Sequence, residues 1–433
     1  MAQVTAQEQY AAYLNALKGP FQKRCRLRFL NPDGSTAFFV DNNRKNPYSA
    51  AFVSSGTLSV NLQNGVRRTA SVTLSNSGKT FSYDVNHIWF GQEIALDEGL
   101  VLADGTEYYI QQGVFLIEDP EEAIDPTQRT IVFNLVDKWA NLDGTLWGNL
   151  DGTYRGQLGV NIFQQIDALL QDDKGNGTPV DRMKPVYTEY YNGKTQELPD
   201  GTTANLVDAP YTLEISPGGG GTYGSVILGF CEMLNAWVGY DATGRMRIDP
   251  SQDDLLDAEK PIAYAFSMDE VTLLGLSYTA KTTEVYNDYI VMGEQLDDNS
   301  QPGARATNYD PESDTNVNLI GRKTVWTAES GFTTDTQCRD KAEWMLKRST
   351  VLQKSVDISC PQIFHIKENE LLTIVRTDKP GSPTERHLIQ GFSRPLAYAG
   401  EMTITATSVT DFPTATVTEW GKVSGKDEEE GGE

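Results

Sequence analysis

The sequence predicts a mainly β protein with an α+β insertion, and three observations predict it. From Gly56 to Gly144 apolar and polar residues alternate in run after run, the period-2 signature of strands with one dry and one wet face. From Val271 the alternation returns, with its elements in a matching order. Between the two stretches the apolar spacing lengthens to that of helices. So many strand edges are satisfied most simply by closed antiparallel sheets. The expected organisation is therefore a docking helix in 1–20, a first β-barrel in 21–144, an α+β insertion in 145–270, a second and related β-barrel in 271–411, and an acidic flexible tail in 412–433.

Each element has a local reason. Thr5–Lys18 puts Tyr10, Tyr13, Leu14 and Leu17 on one helical face, and Gly19-Pro20 stops it. Cys25–Leu30 and Thr36–Val40 flank the Pro32-Asp33-Gly34 turn as a hairpin. In Thr69–Ser75 the apolar side is Ala70, Val72 and Leu74. Gln92–Asp97 follows, Leu100–Ile110 folds about Asp104-Gly105, Val114–Ile117 is apolar throughout, and Thr130–Val136 alternates through Ile131, Phe133 and Leu135. Asn161 caps a helix carrying Ile162, Ile166, Leu169 and Leu170. Val186–Tyr191 and Thr195–Leu198 flank Asn192-Gly193 as a projecting hairpin. Ser225–Ala236 is a second helix, and Val238–Ile248 turns at Thr243-Gly244. After Leu273–Thr279 and Tyr289–Met292, the polar Leu296–Asn318 reads as an exposed loop. Thr334 or Asp335 then caps a helix with Cys338, Ala342, Met345 and Leu346 on one face. Ser355–Ser359, Glu370–Val375, His387–Phe392 and Met402–Thr407 read as strands, and Lys422–Glu433 as a solvated charged tail.

The second half echoes the first. Val72-Thr-Leu, Phe90-Gly-Gln-Glu-Ile, Ile110-Gln-Gln-Gly-Val-Phe and Thr130–Val136 are matched in order by Val356-Asp-Ile, Ile366-Lys-Glu-Asn-Glu-Leu, Leu388-Ile-Gln-Gly-Phe and Met402–Thr407. A duplicated sheet is the expectation, against chance agreement between two β-rich stretches.

Composition excludes several classes. The 433 residues carry a formal net charge of −24, which argues against a nucleic-acid binder that draws affinity from Lys and Arg, and against docking on anionic lipid. Four scattered cysteines, Cys25, Cys231, Cys338 and Cys360, give neither a disulfide scaffold nor a zinc site. No membrane anchor and no secretory leader are read, so synthesis and folding in a cytoplasm are expected.

The candidate chemical motifs are weak. Gly219, Gly221 and Gly224 satisfy G-x-G-x-x-G before a helix, but a hairpin follows where a nucleotide fold needs a parallel strand, and there is no Walker lysine. His87, His365 and His387 lie far apart in or beside strands. Glu118, Asp119, Glu121 and Glu122 sit together in a Pro-punctuated turn, a poor way to set two carboxylates across one bond. Asp137, Trp139 and Asp143 carry no clearer signal, and Trp89 and Trp139 suit a barrel core as well as an interface. Tyr187, Tyr190 and Tyr191 could stack on sugars, which keeps a cell-wall glycan-binding or peptidoglycan-degrading protein as the alternative function. No catalytic, cofactor-binding or metal-ligating residue is nominated, and the chain is expected not to be an enzyme.

The runs Ile88-Trp-Phe-Gly-Gln-Glu-Ile-Ala-Leu-Asp-Glu-Gly-Leu, Asp104-Gly-Thr-Glu-Tyr-Tyr-Ile-Gln-Gln-Gly-Val-Phe-Leu-Ile-Glu-Asp-Pro and Thr130-Ile-Val-Phe-Asn-Leu-Val-Asp-Lys-Trp-Ala-Asn-Leu-Asp-Gly resemble bacteriophage tail hub proteins. These comprise baseplate hubs and the N-terminal structural module of tail-associated lysins. The resemblance implies a homotrimer in which two barrels per chain make a ring, adapting a six-fold tail tube to a three-fold tip. It implies as partners a tail tube or distal tail protein, a tail tip, spike or receptor-binding protein, and a tape measure protein, all in the virion tail. DNA would pass through the lumen without specific binding, and Asp and Glu lining that lumen would give the net charge a use. With an acidic tail where family lysins carry a catalytic domain, no lytic activity is expected.

Overall fold

The computed structural model describes residues 5–77, 81, 91–197, 202–234, 236–250, 261–280, 283, 285–296, 300–329, 332–350, 354–409 and 415–419. Helix α1 (Ala6–Ala16) opens on a capping box: Thr5 Oγ1 accepts from Glu8 N–H at 3.3 Å, and Glu8 Oε2 accepts from Thr5 N–H at 2.7 Å. The first half continues with β1 (Lys23–Leu30), β2 (Thr36–Asp41), β3 (Phe52–Asn61), β4 (Arg68–Ser75), β5 (Ile94–Val101), β6 (Glu107–Ile124) and β7 (Arg129–Asp137). The middle holds β8 (Tyr154–Arg155), α2 (Ile162–Leu170), β9 (Val186–Tyr187), β10 (Thr195–Glu197), β11 (Thr203–Asn205), β12 (Glu214–Ile215), α3 (Tyr223–Met233), β13 (Ala236–Tyr240) and β14 (Met246–Pro250). Then come β15 (Ile262–Ser267), β16 (Gly275–Ala280), β17 (Asp288–Met292), β18 (Gly303–Asn308), α4 (Val317–Ile320), β19 (Thr324–Ala328) and α5 (Asp335–Thr350). β20 (Lys354–Pro361), β21 (Leu371–Val375), β22 (Thr384–Pro395), β23 (Glu401–Ser408) and β24 (Ala415–Glu419) complete the described chain.

Thirteen strands drawn from both halves form one mostly antiparallel sheet. In the first half the pairings run β3-β2-β1-β5-β6-β7-β4 and return to β3, so the ring of neighbours closes, with a single residue pair, Asp41 and Phe52, joining β2 to β3. In the second half they run β16-β20-β23-β22-β21-β15. There β15 and β16 are consecutive in the chain, so residues 268–274 rather than a ladder link the two ends. The two sets meet where β22 pairs with β3, from Gly391 opposite Asn61 to Pro395 opposite Thr57.

The alternation read in the sequence is what buries this sheet. In β4, Ala70, Val72 and Leu74 face inward while Thr69 and Ser71 are exposed. Leu27, Val72, Phe133, Val356, Ile358 and Ile404 belong to one continuous apolar core spanning both halves. A second core joins α2 and α3 to the β13–β14 hairpin through Ile166, Phe230 and Val238. A third packs α5 on the sheet β19-β17-β18-β24 through Cys338, Ala342, Val291 and Ala304.

Three local expectations are corrected. Leu296–Asn318 is not simply an exposed loop, because β18 lies inside it between β17 and β24. Its inward residues are the small Ala304 and Ala306, too weak an apolar signal to read, and Arg305 and Thr307 instead bond the buried Asp288. Val186–Tyr187 and Thr195–Glu197 do not pair with each other: the first runs parallel to β14 and the second pairs with β11. Leu198 lies outside the described residues. Glu118 to Glu122 are strand rather than turn, since β6 runs through them on a bulge that takes Asp119 to φ 39°.

Candidate functional site

The echo between the halves is a repeat of pairing order. Neighbours run β3-β4-β7-β6-β5 in the first half and β16-β20-β23-β22-β21 in the second, antiparallel at every step. Gln112 in β6 and Gln390 in β22, each followed by glycine, are both the extra residue of a bulge, against β5 in one case and β23 in the other. Gly391 is needed where the sheets join, because a Cβ there would stand 2.5 Å from the Val60 carbonyl oxygen.

Beneath that junction lies a buried charge cluster. Glu98, 0% exposed, accepts from Lys23 Nζ at 2.5 Å and from Arg394 Nε at 2.6 Å. Lys23 also donates to Gln362 Oε1 at 2.6 Å and to the Pro395 carbonyl at 2.5 Å. Arg394 donates to Gln112 Oε1 at 2.5 Å and to the Ile363 carbonyl at 2.7 Å. Arg68 ties the same region to Glu368 and to the Gln112 carbonyl. Burial pushes the Glu98 carboxyl up, but Arg394 and Lys23 outweigh it and hold it below the ordinary range. Burial drives Lys23 down in spite of Glu98. Every partner is hydrogen-bonded, so the cluster holds the two halves in one register and loses heavily if any member is cut.

Helix α1 packs on its own chain across the same junction. Tyr13 is buried, its ring 5.2 Å from that of Tyr108 and 5.6 Å from that of His365. His365 Nε2 lies 3.2 Å from the Ala263 carbonyl, which assigns the proton to Nε2. Nδ1 then accepts from Tyr13 Oη–H at 3.0 Å, while Tyr13 Oη accepts from Phe364 N–H at 3.0 Å.

The residues singled out in the sequence are structural where they are described. Asp137 is fully buried and accepts the N–H groups of Arg67, Arg68 and Trp139 at 2.8 to 3.1 Å; burial raises its carboxyl to about 6 against those bonds. Trp139 is core, with Gly65 closed against its ring, while Trp89 and His87 lie outside the described residues. Asp143 accepts the Thr145 N–H. His387 is buried beside Glu385 and Ser408. Tyr187 stacks on Phe163 at 4.1 Å and donates to Asp167, and Tyr191 is buried; Tyr190 is more open, with Lys194 against its ring. The glycine-rich run makes a tight turn into α3, whose first N–H groups are already taken: Tyr223 by the Gly148 carbonyl, Gly224 by Leu142 and Ser225 by Thr222 Oγ1. Its helix leads into the antiparallel β13–β14 hairpin. Among the described residues no group of three His, Cys, Asp or Glu could hold a metal ion, and no helix is long and apolar enough to cross a membrane. The Glu98–Arg394–Gln112 cluster was missed by sequence reasoning, since Arg394 lies hundreds of residues from the other two and only Gln112-Gly113, echoed by Gln390-Gly391, hinted at it.

No protein-family model and no curated protein sequence matches the chain. Solved structures do. A tail protein from Neisseria meningitidis MC58 aligns with a TM-score of 0.57 at 8% identity, covering 89% of this chain and 97% of that one. The 43 kDa tail protein of prophage MuSo2 from Shewanella oneidensis aligns at 0.54 with 13% identity, covering 89% and 98%. Prophage tail protein gp18 from Listeria monocytogenes EGD-e aligns at 0.50 with 10% identity, covering 89% and 94%. The large mixed-half sheet, its repeated strand order and these near full-length matches agree: the chain has the fold of these phage tail proteins.

Proposed function

We propose that the chain is a structural virion protein of the tail hub, not an enzyme. Three copies form a ring in which the repeated strand sets, two per chain, present six similar units to a six-fold tail tube on one side and a three-fold tip on the other. The observation that carries this reading is the five-strand pairing order found twice in one chain, because a closed ring of three such chains has a quasi-six-fold surface without needing six chains. The near full-length likeness to phage tail proteins supports it.

In this reading the first unit is 21–144 and the second is 271–411 together with β15, each a small barrel, with an α+β insertion between them and 1–20 as a helix that docks; the expected free tail at 412–433 is corrected at Ala415–Glu419, which pairs with β18 as β24. The ring's neighbours are a tail tube or distal tail protein, a tip, spike or receptor-binding protein, and a tape measure protein. DNA crosses its lumen unheld.

Electron microscopy of the purified protein tests the proposal. Class averages with three copies around a hole support it, and compact single copies contradict it. A glycan pull-down and a muralytic assay on the same preparation should both be blank; activity in either favours the cell-wall reading.

A further inference from the structure

Lys23 opens β1 and Gln362 follows β20, so one belongs to the first half of the large sheet and the other to the second. Their side chains meet out of water: Lys23 is 4% exposed and Gln362 1%. Lys23 Nζ lies 2.6 Å from Gln362 Oε1 and 2.5 Å from Glu98 Oε1, with the Phe364 ring centred 5.2 Å away. A hydrogen bond of that length to an amide oxygen holds the nitrogen roughly 3–4 Å from the amide carbon, the separation from which bond formation starts. Gln362 is itself pinned, its Nε2 donating to the Pro395 and Tyr398 carbonyls at 2.9 and 3.3 Å. Among the described residues the other buried lysine is Lys138, whose hydrogen-bond and ionic partners are Asp181, Glu93 and the Gly244 carbonyl. A buried lysine is thus held in this fold without a carboxamide, yet Lys23 has one set against its amine.

We propose that Lys23 and Gln362 join as an intramolecular isopeptide bond. Amine, carboxylate and carboxamide are the three groups that aminolysis needs, and here they touch in a site closed to water. Arg394 and Lys23 keep Glu98 ionised, so it can take a proton from the ammonium. Burial and the charge of Arg394 both favour the neutral amine.

Rotation about Cε–Nζ turns the freed electron pair onto Gln362 Cδ, and a C–N bond forms as the carbonyl π pair moves to Oε1. Glu98 then gives its proton to Nε2 and takes one from the attacking nitrogen. As the pair on Oε1 returns, Cδ–Nε2 breaks. The products are one amide and one ammonia, which leaves as ammonium with the proton that Glu98 holds. The bond ties residues 339 positions apart in a chain whose four cysteines are all free and buried. It does not depend on the hub reading.

Peptide mapping of the purified full-length chain tests the proposal. The expected product is a branched peptide joining Lys23 to Gln362, one ammonia lighter than its two arms, with no tryptic cut after Lys23 and Lys138 recovered on ordinary peptides. Lys23 and Gln362 recovered on separate, unaltered peptides from folded protein overturn the proposal and leave the hub reading untouched. Glu98→Gln keeps the side chain's length and removes the proton acceptor. After equal incubation of folded protein its joined fraction should fall at least about tenfold; joining at the wild-type rate contradicts the mechanism. Should that variant not fold, the wild-type map decides alone.

Discussion

The first and second halves of the large sheet share a strand order but are finished differently. The first is closed by its own hairpin, β1 and β2, and its hydrophobic set is dense in aromatics, with Phe29 stacked on Phe38 at 4.4 Å and Phe81 edge-on to Phe133. In the second the chain itself joins β15 to β16, and a separate sheet with α5 is spliced between β16 and β20. What survives in both is the pairing order; what differs is everything packed around it. A repeat can therefore persist as topology after its residues have diverged, because a strand set tolerates any inward residue that fills the core and any outward residue that stays wet.

The two halves are nevertheless one folding unit, held by Glu98, and cutting that tie should have the largest effect. Glu98→Ala leaves Lys23 and Arg394 buried and unpaired, and should cost about 3–5 kcal/mol in denaturant unfolding. A loss under about 1 kcal/mol would mean that the cluster is wet and that the halves are held by apolar packing alone. Next, Leu74→Ala and Ile358→Ala probe equivalent echo positions in β4 and β20. Each should cost about 2–5 kcal/mol, and because they share one core each should shift the same single transition. Two transitions, each sensitive to one substitution, would separate the halves. Gly391→Ala acts at the join itself: its Cβ must displace backbone of β3, costing about 1–3 kcal/mol, with the protection of the Leu62 amide, which donates to the Gln390 carbonyl across the join, falling before that of the β4–β7 ladder.

The smallest effect is the pH response of α1. Burial holds His365 below its ordinary 6.5, so its folded value is depressed; the contribution is present above 6.5 and is lost as pH falls through the folded value. Tyr10 and Tyr13 on α1, Tyr264 on β15 and Arg394 on β22 face it, and none of them changes charge in that range. A protonated Nδ1 can no longer accept from Tyr13. Hydrogen exchange in Ala6–Ala16 should quicken on acidification in the native protein and stay flat in His365→Gln; identical acid responses in the two would remove His365 as the cause.

Much of this was readable from residues alone. Thr69–Ser75 announced a strand because apolar and small polar residues alternate there, Thr130–Val136 because Ile131, Phe133 and Leu135 recur at every second position, and Asn161 announced α2 because its side chain takes the Phe163 and Gln164 N–H groups at 2.9 and 3.3 Å. The repeat was readable because Gln-Gly at 112–113 and 390–391 marks a bulge in corresponding strands. β18 was not, since alanines carry little apolar signal. Nor was the fate of Tyr187, whose ring found Phe163 of α2 rather than a hairpin partner. The Glu98 cluster could not be read in the sequence: it depends on β22 lying against β3, a contact between residues more than three hundred positions apart.

The mass of the particle in solution tests the central claim most directly. Native mass spectrometry of the purified chain should find three times the 47.9 kDa of one copy, in a species that persists on dilution or forms once a tail partner is added. A single copy at every concentration, with and without tail partners, would contradict a ring built from two kindred strand sets per chain.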